Sequence, residues 1–184
     1  MHFTYCPDCG RKTVPRQMGD DGDVPYCEGC KKPLFDMFST CVLSVVRDPE
    51  GRIALIRQSY GQQETFVGVA GYMKPGETAE AAALREIAEE IGLHPQRLRF
   101  LFSAWHASRG QLMLCFCADA DAASAFTLSQ EVSEAKWFTP EEATEAVRPG
   151  SIIERVVRTA ILHEEDMKIT KKGLQSSAQF GIIR

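Results

Sequence analysis

Residues 71–93 read GYMKPGETAEAAALREIAEEIGL, a glycine-led loop, a helix and a second glycine turn. Thr78 suits the helix N-cap, since its hydroxyl can accept from the free N–H groups of the first turn. Alanines and a leucine fill the helix, and Gly92 stands where a left-handed residue ends it. Glu86, Glu89 and Glu90 follow at spacings of three and four and therefore share a helix face. Like charges so placed repel by roughly 0.2–0.5 kcal/mol per pair. At a helix C-terminus each also opposes the macrodipole, by about 0.3–1 kcal/mol. Arg85, four before Glu89, offsets part of this. A local rule broken without local compensation marks an expected functional site. Converging hard oxygen ligands suit Mg²⁺ or Mn²⁺ together with substrate phosphates. A solvated acidic face is the alternative reading of three glutamates taken alone.

The complete spacing is more specific. Gly71, five residues, Glu77, seven residues, then Arg85-Glu86-Ile87-Ala88-Glu89-Glu90-Ile91-Gly92-Leu93 matches Gly-x5-Glu-x7-Arg-Glu-U-x-Glu-Glu-x-Gly-U, where U is bulky and apolar. This resembles the signature of the Nudix hydrolases. The resemblance implies an α/β class fold, an α/β/α sandwich with a mixed sheet. It also implies divalent-cation-dependent hydrolysis of a nucleoside diphosphate linked to another moiety.

With 184 residues, 44% of them apolar, the chain has room for one catalytic domain and a small appendage. A formal net charge of −4 argues against a general nucleic-acid footprint. No stretch approaches the apolar length of a membrane span. No basic segment followed by an apolar run precedes Cys6, so a cytoplasmic protein is expected.

The sequence contains seven cysteines. Cys6-Pro-Asp-Cys9 and Cys27-Glu-Gly-Cys30 form two C-x2-C pairs, at a separation usual for a zinc ribbon. Arg11-Lys12 and Lys31-Lys32 would partly offset the double negative charge of four thiolates on one Zn²⁺. Four protein ligands leave no open position, which makes the zinc structural. Two disulfides or a redox dithiol is the rival reading, and the lack of a secretory signal speaks against it. Cys41, Cys115 and Cys117 lie in apolar, strand-like runs and read as small buried hydrophobes.

Along the chain, residues 1–36 form the ribbon, 37–165 the catalytic domain and 166–184 a polar tail. Strands are expected at 40–46, 53–57, 65–70, 98–103, 112–117 and 135–138. Asp48-Pro49-Glu50-Gly51 reads as a type I turn. The runs 98–103 and 112–117 look like strands covered on both faces. Thr139-Pro140-Glu141-Glu142 carries an N-cap, a first-position proline and a capping box, predicting a helix to about Val147. Ser151-x-x-Glu154 repeats the signal for a helix to about His163.

A zinc ribbon directly before such a signature is similar to the bacterial NADH pyrophosphatase subfamily. The likeness extends through Glu131-Val132-Ser133-Glu134-Ala135-Lys136-Trp137-Phe138 and Pro149-Gly150-Ser151-Ile152-Ile153. It implies Mg²⁺ or Mn²⁺ ligation by Glu86, Glu90, Glu131 and the Ala70 carbonyl. It implies that Glu89 supports metal or activates water, that Tyr72 stacks on a base or nicotinamide ring, and that the Ile153 carbonyl contacts substrate. Gly71, Glu77, Arg85 and Gly92 fall to structural roles, with Glu77 and Arg85 as a salt bridge. A homodimer is also implied. The subfamily's Ser-Gln-Pro-Trp-Pro-Phe-Pro-x-Ser is replaced by Ser103-Ala104-Trp105-His106-Ala107-Ser108-Arg109-Gly110-Gln111. Every proline is gone, so a more mobile pocket loop is expected. Trp105, His106 and Arg109 on it could stack on, hydrogen-bond or pair with a ligand, or be ordinary loop residues. Glu134 reads as solvated or supporting rather than metal-ligating. The leading expectation is NAD(H) diphosphatase activity giving nicotinamide mononucleotide and AMP. ADP-ribose or nucleotide-sugar hydrolysis, decapping of NAD-capped RNA ends, and a non-catalytic nucleotide sensor are the alternatives.

Overall fold

The computed structural model describes residues 3–60, 64–121 and 124–162. Contacts divide the chain into two units, Met1–Ser39 and Thr40–Arg184. The sequence-based end of the catalytic domain and the tail at 166–184 lie outside the described residues.

The N-terminal unit is too short for a large apolar core. Its strands β1 (Val14–Gln17), β2 (Asp23–Cys27) and β3 (Lys32–Pro33) form an antiparallel sheet in that order. Cys6, Cys27 and Leu34 make its small buried cluster, with Phe3 packed against it. Arg16 lies 3.5 Å over the Tyr26 ring and pairs with Glu28 at 2.6 Å.

The second unit opens within β4 (Ser39–Arg47), which is buried from Cys41 onward. The turn after it is the one the sequence predicts: the Gly51 N–H donates to the Asp48 carbonyl at 3.0 Å. The buried Asp48 carboxylate also accepts from the Arg52 N–H at 2.8 Å and from Arg52 Nε at 2.7 Å. The chain returns as β5 (Ile53–Gln58). The strand expected at 65–70 instead runs as β6 (Val69–Tyr72), with only single bridges at Phe66 and Val67. Gly71 is therefore a strand residue, paired with Val42, and not part of a loop.

Helix α1 (Ala79–Ile91) has both ends fixed as its caps predict. Thr78 Oγ1 accepts from the Ala81 N–H at 3.2 Å, and Gly92, at φ 69°, donates to the Ala88 carbonyl. Burying Ile87 and Ile91 completely stabilises by roughly 1.5–3 kcal/mol each. β7 (Arg97–His106) and β8 (Gln111–Asp119) form a hairpin, and β9 (Val132–Phe138) follows. Helix α2 (Pro140–Ala146) has the full capping box on Thr139 and Glu142. Helix α3 covers residues 152–162.

The sheet order is β7-β8-β4-β5-β9, with β6 also paired to β4. On one face α1 packs against Val42, Val46, Ile56 and Phe116. On the other, α2 and α3 cover Cys41, Leu43, Val45, Leu55, Met113 and Cys115. The result is an α/β/α sandwich. β7 departs from the expected strand covered on both faces. It lies at the sheet edge, with Phe100 and Trp105 exposed.

Candidate active site

The strand–loop–helix unit from β6 to α1 brings the glutamates to the sheet, and Gly71 makes the approach possible. A Cβ on Gly71 would lie 2.0 Å from Glu86 Cδ and Oε1. Only a residue without a side chain lets that carboxylate rest on the strand. Arg85 then knits the unit together. Its Nε and Nη2 donate to the two Glu77 oxygens at 3.1 and 2.8 Å. Its Nη1 donates to Glu86 at 2.5 Å and to Glu89 at 3.1 Å, and its Nη2 also reaches the Tyr72 carbonyl at 3.1 Å. Glu77 additionally accepts from the Lys74 N–H. The Arg85 guanidinium, followed by that amide, holds the Glu77 carboxyl down at about 2. Arg85 thus ties four groups: the expected partner Glu77, the i,i+4 neighbour Glu89, and Glu86 and the Tyr72 carbonyl besides.

The three helix glutamates do not share one environment. The Glu86 side chain is 13% exposed and Glu89 is 53% exposed, with Lys74 Nζ 3.7 Å from Glu89. Glu90 is buried, on the same stripe as Ala83 and Ile87. Among the described residues, its Oε2 has no hydrogen-bond partner. Burial first, then the charges of Glu86 and Glu131, push its carboxyl up to about 8, opposed by a hydrogen bond from the Ala70 N–H. A strand residue's N–H and C=O leave the chain on the same side. The Ala70 carbonyl therefore faces the Glu90 side as well.

Glu131 is placed by the segment before β9. The Thr127 and Ser129 N–H groups donate to the Ile91 and Glu90 carbonyls at the end of α1, both at 3.0 Å. The Ser59 N–H donates to the Glu131 carbonyl at 2.8 Å, and Ser59 Oγ to the Gln130 carbonyl at 2.8 Å. These contacts set Tyr60 beside Glu131. Burial raises the Tyr60 phenol, as do Glu131, Glu90 and Glu86, while Arg109 opposes. Arg109 and Glu86 likewise act in opposite directions on the buried Cys41 thiol, which burial pushes up. Glu86, Glu90 and Glu131 thus act together on Tyr60, and the charge of Arg109 opposes them. Tyr60 belongs to this acidic centre, and no motif in the sequence points to that tyrosine. Glu134 stands apart, paired with Arg57 at 3.0 Å and with Lys136.

The substrate-side expectations divide. Tyr72 ends β6 opposite Cys41, with its ring exposed and its hydroxyl accepting from Gln111 Nε2 at 2.6 Å. Trp105 and His106 are not on a loop. They pair with Leu112 and Gln111 at the end of β7, and a tight turn with Gly110 at φ 61° closes the hairpin. Successive strand residues point to opposite faces, so this pair cannot grip one ring from the same side. Ser108 Oγ lies 3.3 Å from His106 Nδ1. Ile153 is within α3, its side chain buried in the core, where it would lie 2.9 Å from a Cβ on Gly68.

In the N-terminal unit, Cys6, Cys9, Cys27 and Cys30 bring their sulfurs within 4.8 Å of one another. Cys9 and Cys27 are 3.5 Å apart, and Cys6 and Cys30 3.9 Å. Tetrahedral Zn–S bonds of about 2.3 Å require S···S edges of about 3.8 Å, so the cluster is compatible with a zinc ribbon. The Cys30 N–H donates to Cys27 Sγ at 3.3 Å and is the leading cause that lowers the Cys27 thiol.

An α/β/α sandwich whose strand–loop–helix unit carries this glutamate set defines a class of fold. The NUDIX domain family matches residues 37–156, and the chain belongs to that family. It is similar to the NAD-capped RNA hydrolase NudC of Vibrio parahaemolyticus, 26% identical over 157 residues, 85% of this chain and 59% of that one. The same protein of Chromobacterium violaceum is 29% identical over 161 residues, covering 87% and 60%. The chain thus spans about six-tenths of the length of these curated relatives. A NUDIX hydrolase from Nitrosomonas europaea superposes with a TM-score of 0.64 at 19% identity, covering 84% of this chain and 88% of that one. The NUDIX domain of Shewanella oneidensis NrtR, complexed with ADP ribose, gives 0.60 at 16%, covering 73% and 91%. Among the described residues, no helix is long and apolar enough to cross a membrane.

Proposed function

We propose that this chain is a metal-dependent diphosphatase of nucleoside diphosphate derivatives, acting on NAD(H) to give nicotinamide mononucleotide and AMP. The observation that carries the reading is the buried Glu90 oxygen, unpartnered among the described residues, beside Glu86 and Glu131. A buried carboxylate costs several kcal/mol unless paired, and a divalent cation is the partner that this donor set fits. Glu86, Glu90, Glu131 and the Ala70 carbonyl would hold Mg²⁺ or Mn²⁺. When bound, such an ion neutralises phosphate oxygens and lowers the pKa of coordinated water.

The chain's own groups supply the rest. Glu89, solvent-accessible at the helix edge, accepts the proton of the attacking water as general base. Arg85 holds Glu86 and Glu89 in place. Arg109 opposes the charge of the acidic centre and balances the substrate's diphosphate charge. Tyr72 offers its exposed ring to the base or nicotinamide. Water adds to one phosphorus and the bridging P–O bond breaks, giving two monophosphates. The Ile153 carbonyl as a substrate contact and a structural zinc on the four cysteines belong to the same proposal. So do a homodimer, which the family resemblance implies, and the cytoplasmic location expected from the sequence.

A second reading, hydrolysis of ADP-ribose or a nucleotide-sugar, is favoured by the hairpin at 103–111, which lacks the prolines of the NADH pattern. The relatives named NAD-capped RNA hydrolases support RNA 5′ ends as a third substrate, since an NAD cap presents the same diphosphate. The deciding experiment offers NADH, NAD⁺, ADP-ribose and an NAD-capped oligonucleotide with Mg²⁺ or Mn²⁺ and resolves products by chromatography. Cleavage at the diphosphate, stopped by a chelator, is expected. Binding without cleavage of any of the four would favour a nucleotide sensor instead.

A further inference from the structure

The Tyr72 ring does not stand alone. We propose that Gln111 is a positioning residue for substrate specificity, fixing the Tyr72 ring at one tilt as the stacking platform for the substrate's heteroaromatic ring. This rests on the reading of Tyr72 as that platform.

Gln111 is 5% exposed and Tyr72 59% exposed, yet the buried side chain reaches the exposed one, Nε2 donating to Oη at 2.6 Å. The contact crosses β4, because Tyr72 pairs with Cys41 on β4 and Gln111 begins β8 on the other side of that strand. Both partners lie on the face covered by α3: Cys41, opposite Tyr72, and Met113, two residues after Gln111, share one core cluster. An exposed phenol has water as a ready partner and needs no protein contact. The buried Gln111 amide does need one, and it finds it at the tip of a ring that otherwise turns freely about two torsions. Ordering a free side chain on binding costs about three- to tenfold in affinity. A ring already held at its hydroxyl avoids most of that loss. A tilt set in advance also favours rings that stack at that angle over those that do not.

The test uses the full chain, with Tyr72→Phe, Gln111→Met and the double variant. ADP-ribose binding is measured by calorimetry in chelator, and NADH and ADP-ribose turnover with Mn²⁺. Each single variant is expected to weaken ADP-ribose binding and raise KM about three- to tenfold, with kcat within about twofold. The double variant should be no weaker than either single one, since both remove the same contact. A change in the ratio of KM for NADH to KM for ADP-ribose is expected as well, and a purely structural glutamine would not produce one. Wild-type affinity in Tyr72→Phe, or additive losses in the double variant, overturns the proposal. Tyr72→Phe keeps the ring and decides alone if Gln111→Met fails to fold. If Tyr72→Ala loses binding while Tyr72→Phe and Gln111→Met do not, the platform stands and the role of Gln111 falls. A wild-type chain that binds neither ligand overturns both.

Discussion

The carboxylate of Glu86 occupies the volume that a side chain on Gly71 would fill, 2.0 Å from the ideal Cβ position. Gly71→Ala should therefore displace Glu86 and loosen its contact with Arg85, while Ala costs a strand less backbone entropy than Gly does. The expected result is a folded protein whose turnover falls roughly 10²–10³-fold, as when one electrostatic contact to the transition state is lost. Kinetics over a Mn²⁺ titration check this. Near-normal turnover at saturating metal would show that Glu86 is not needed at that spot.

Glu90 makes stability depend on pH and metal together. Its folded carboxyl holds its proton up to about 8, against an ordinary value of 4.5. A raised folded value means that the contribution of Glu90 to the metal-free fold is fully present below about pH 4.5 and is lost as pH rises through 8. Divalent cations bind the ionised form, so the rise in Tm on adding Mg²⁺ or Mn²⁺ should grow from pH 6 to pH 9. Glu90→Gln should flatten the metal-free slope and abolish most of the metal-induced shift, with turnover lost. Thermal melts across this range are the measurement, and a metal shift independent of pH would remove Glu90 from the ligand set.

Glu77 behaves in the opposite sense. Arg85 and the Lys74 N–H hold its carboxyl at about 2. The stability it contributes is present above about pH 4.5 and lost as pH falls toward 2. Glu77→Gln should remove part of the acid-side loss, leaving a shallower melting curve between pH 4.5 and 2, and should cost stability at neutral pH by leaving Arg85 underpaired. Equal acid sensitivity in the two proteins would count against the ion pair as a stabilising contact.

The cysteine cluster predicts a stoichiometry. About one zinc per chain should survive chelator washing, and Cys27→Ser should lose the metal and the fold of residues 3–39 together, because metal binding supplies much of the folding energy of so small a unit. Elemental analysis with a melting curve tests it. Zinc-free protein that melts unchanged would leave the four thiols without a structural metal.

What was legible in the sequence was local. Thr78, Gly92 and Thr139 announce their helix ends because capping involves a few neighbouring residues. The Asp48–Gly51 turn is legible for the same reason. Glu90 betrays its burial by falling on the Ala83–Ile87 stripe, whereas Glu89 is turned about 100° from it. Sharing a charge type and a general face hid that difference. Long-range partners were not legible. Nothing near Tyr60 foretells Glu131, and nothing near Gln111 foretells Tyr72. The missing prolines at 103–111 suggest a mobile loop, but proline also breaks sheet ladders. Their loss lets β7 run on to His106, and Gly110 closes the hairpin.

That rebuilt hairpin bears on substrate range. The acidic centre is contributed by β6, α1 and the segment before β9, none of which the hairpin changes. The wall beside Tyr72 is what differs, and specificity is set by differences in transition-state contacts. NADH should be hydrolysed with only modest preference over NAD⁺ and ADP-ribose, within about tenfold in kcat/KM, or ~1.4 kcal/mol. Because Trp105 and His106 leave β7 on opposite faces, their alanine variants should differ from each other. His106→Ala, on the face that carries Gln111, should shift the ratio among the three substrates. Trp105→Ala should leave that ratio nearly unchanged, and neither should alter the metal requirement. Side-by-side kinetics on purified protein decide the matter. An NADH preference above about a thousandfold would mean that this hairpin builds a tight nicotinamide pocket without any of the prolines.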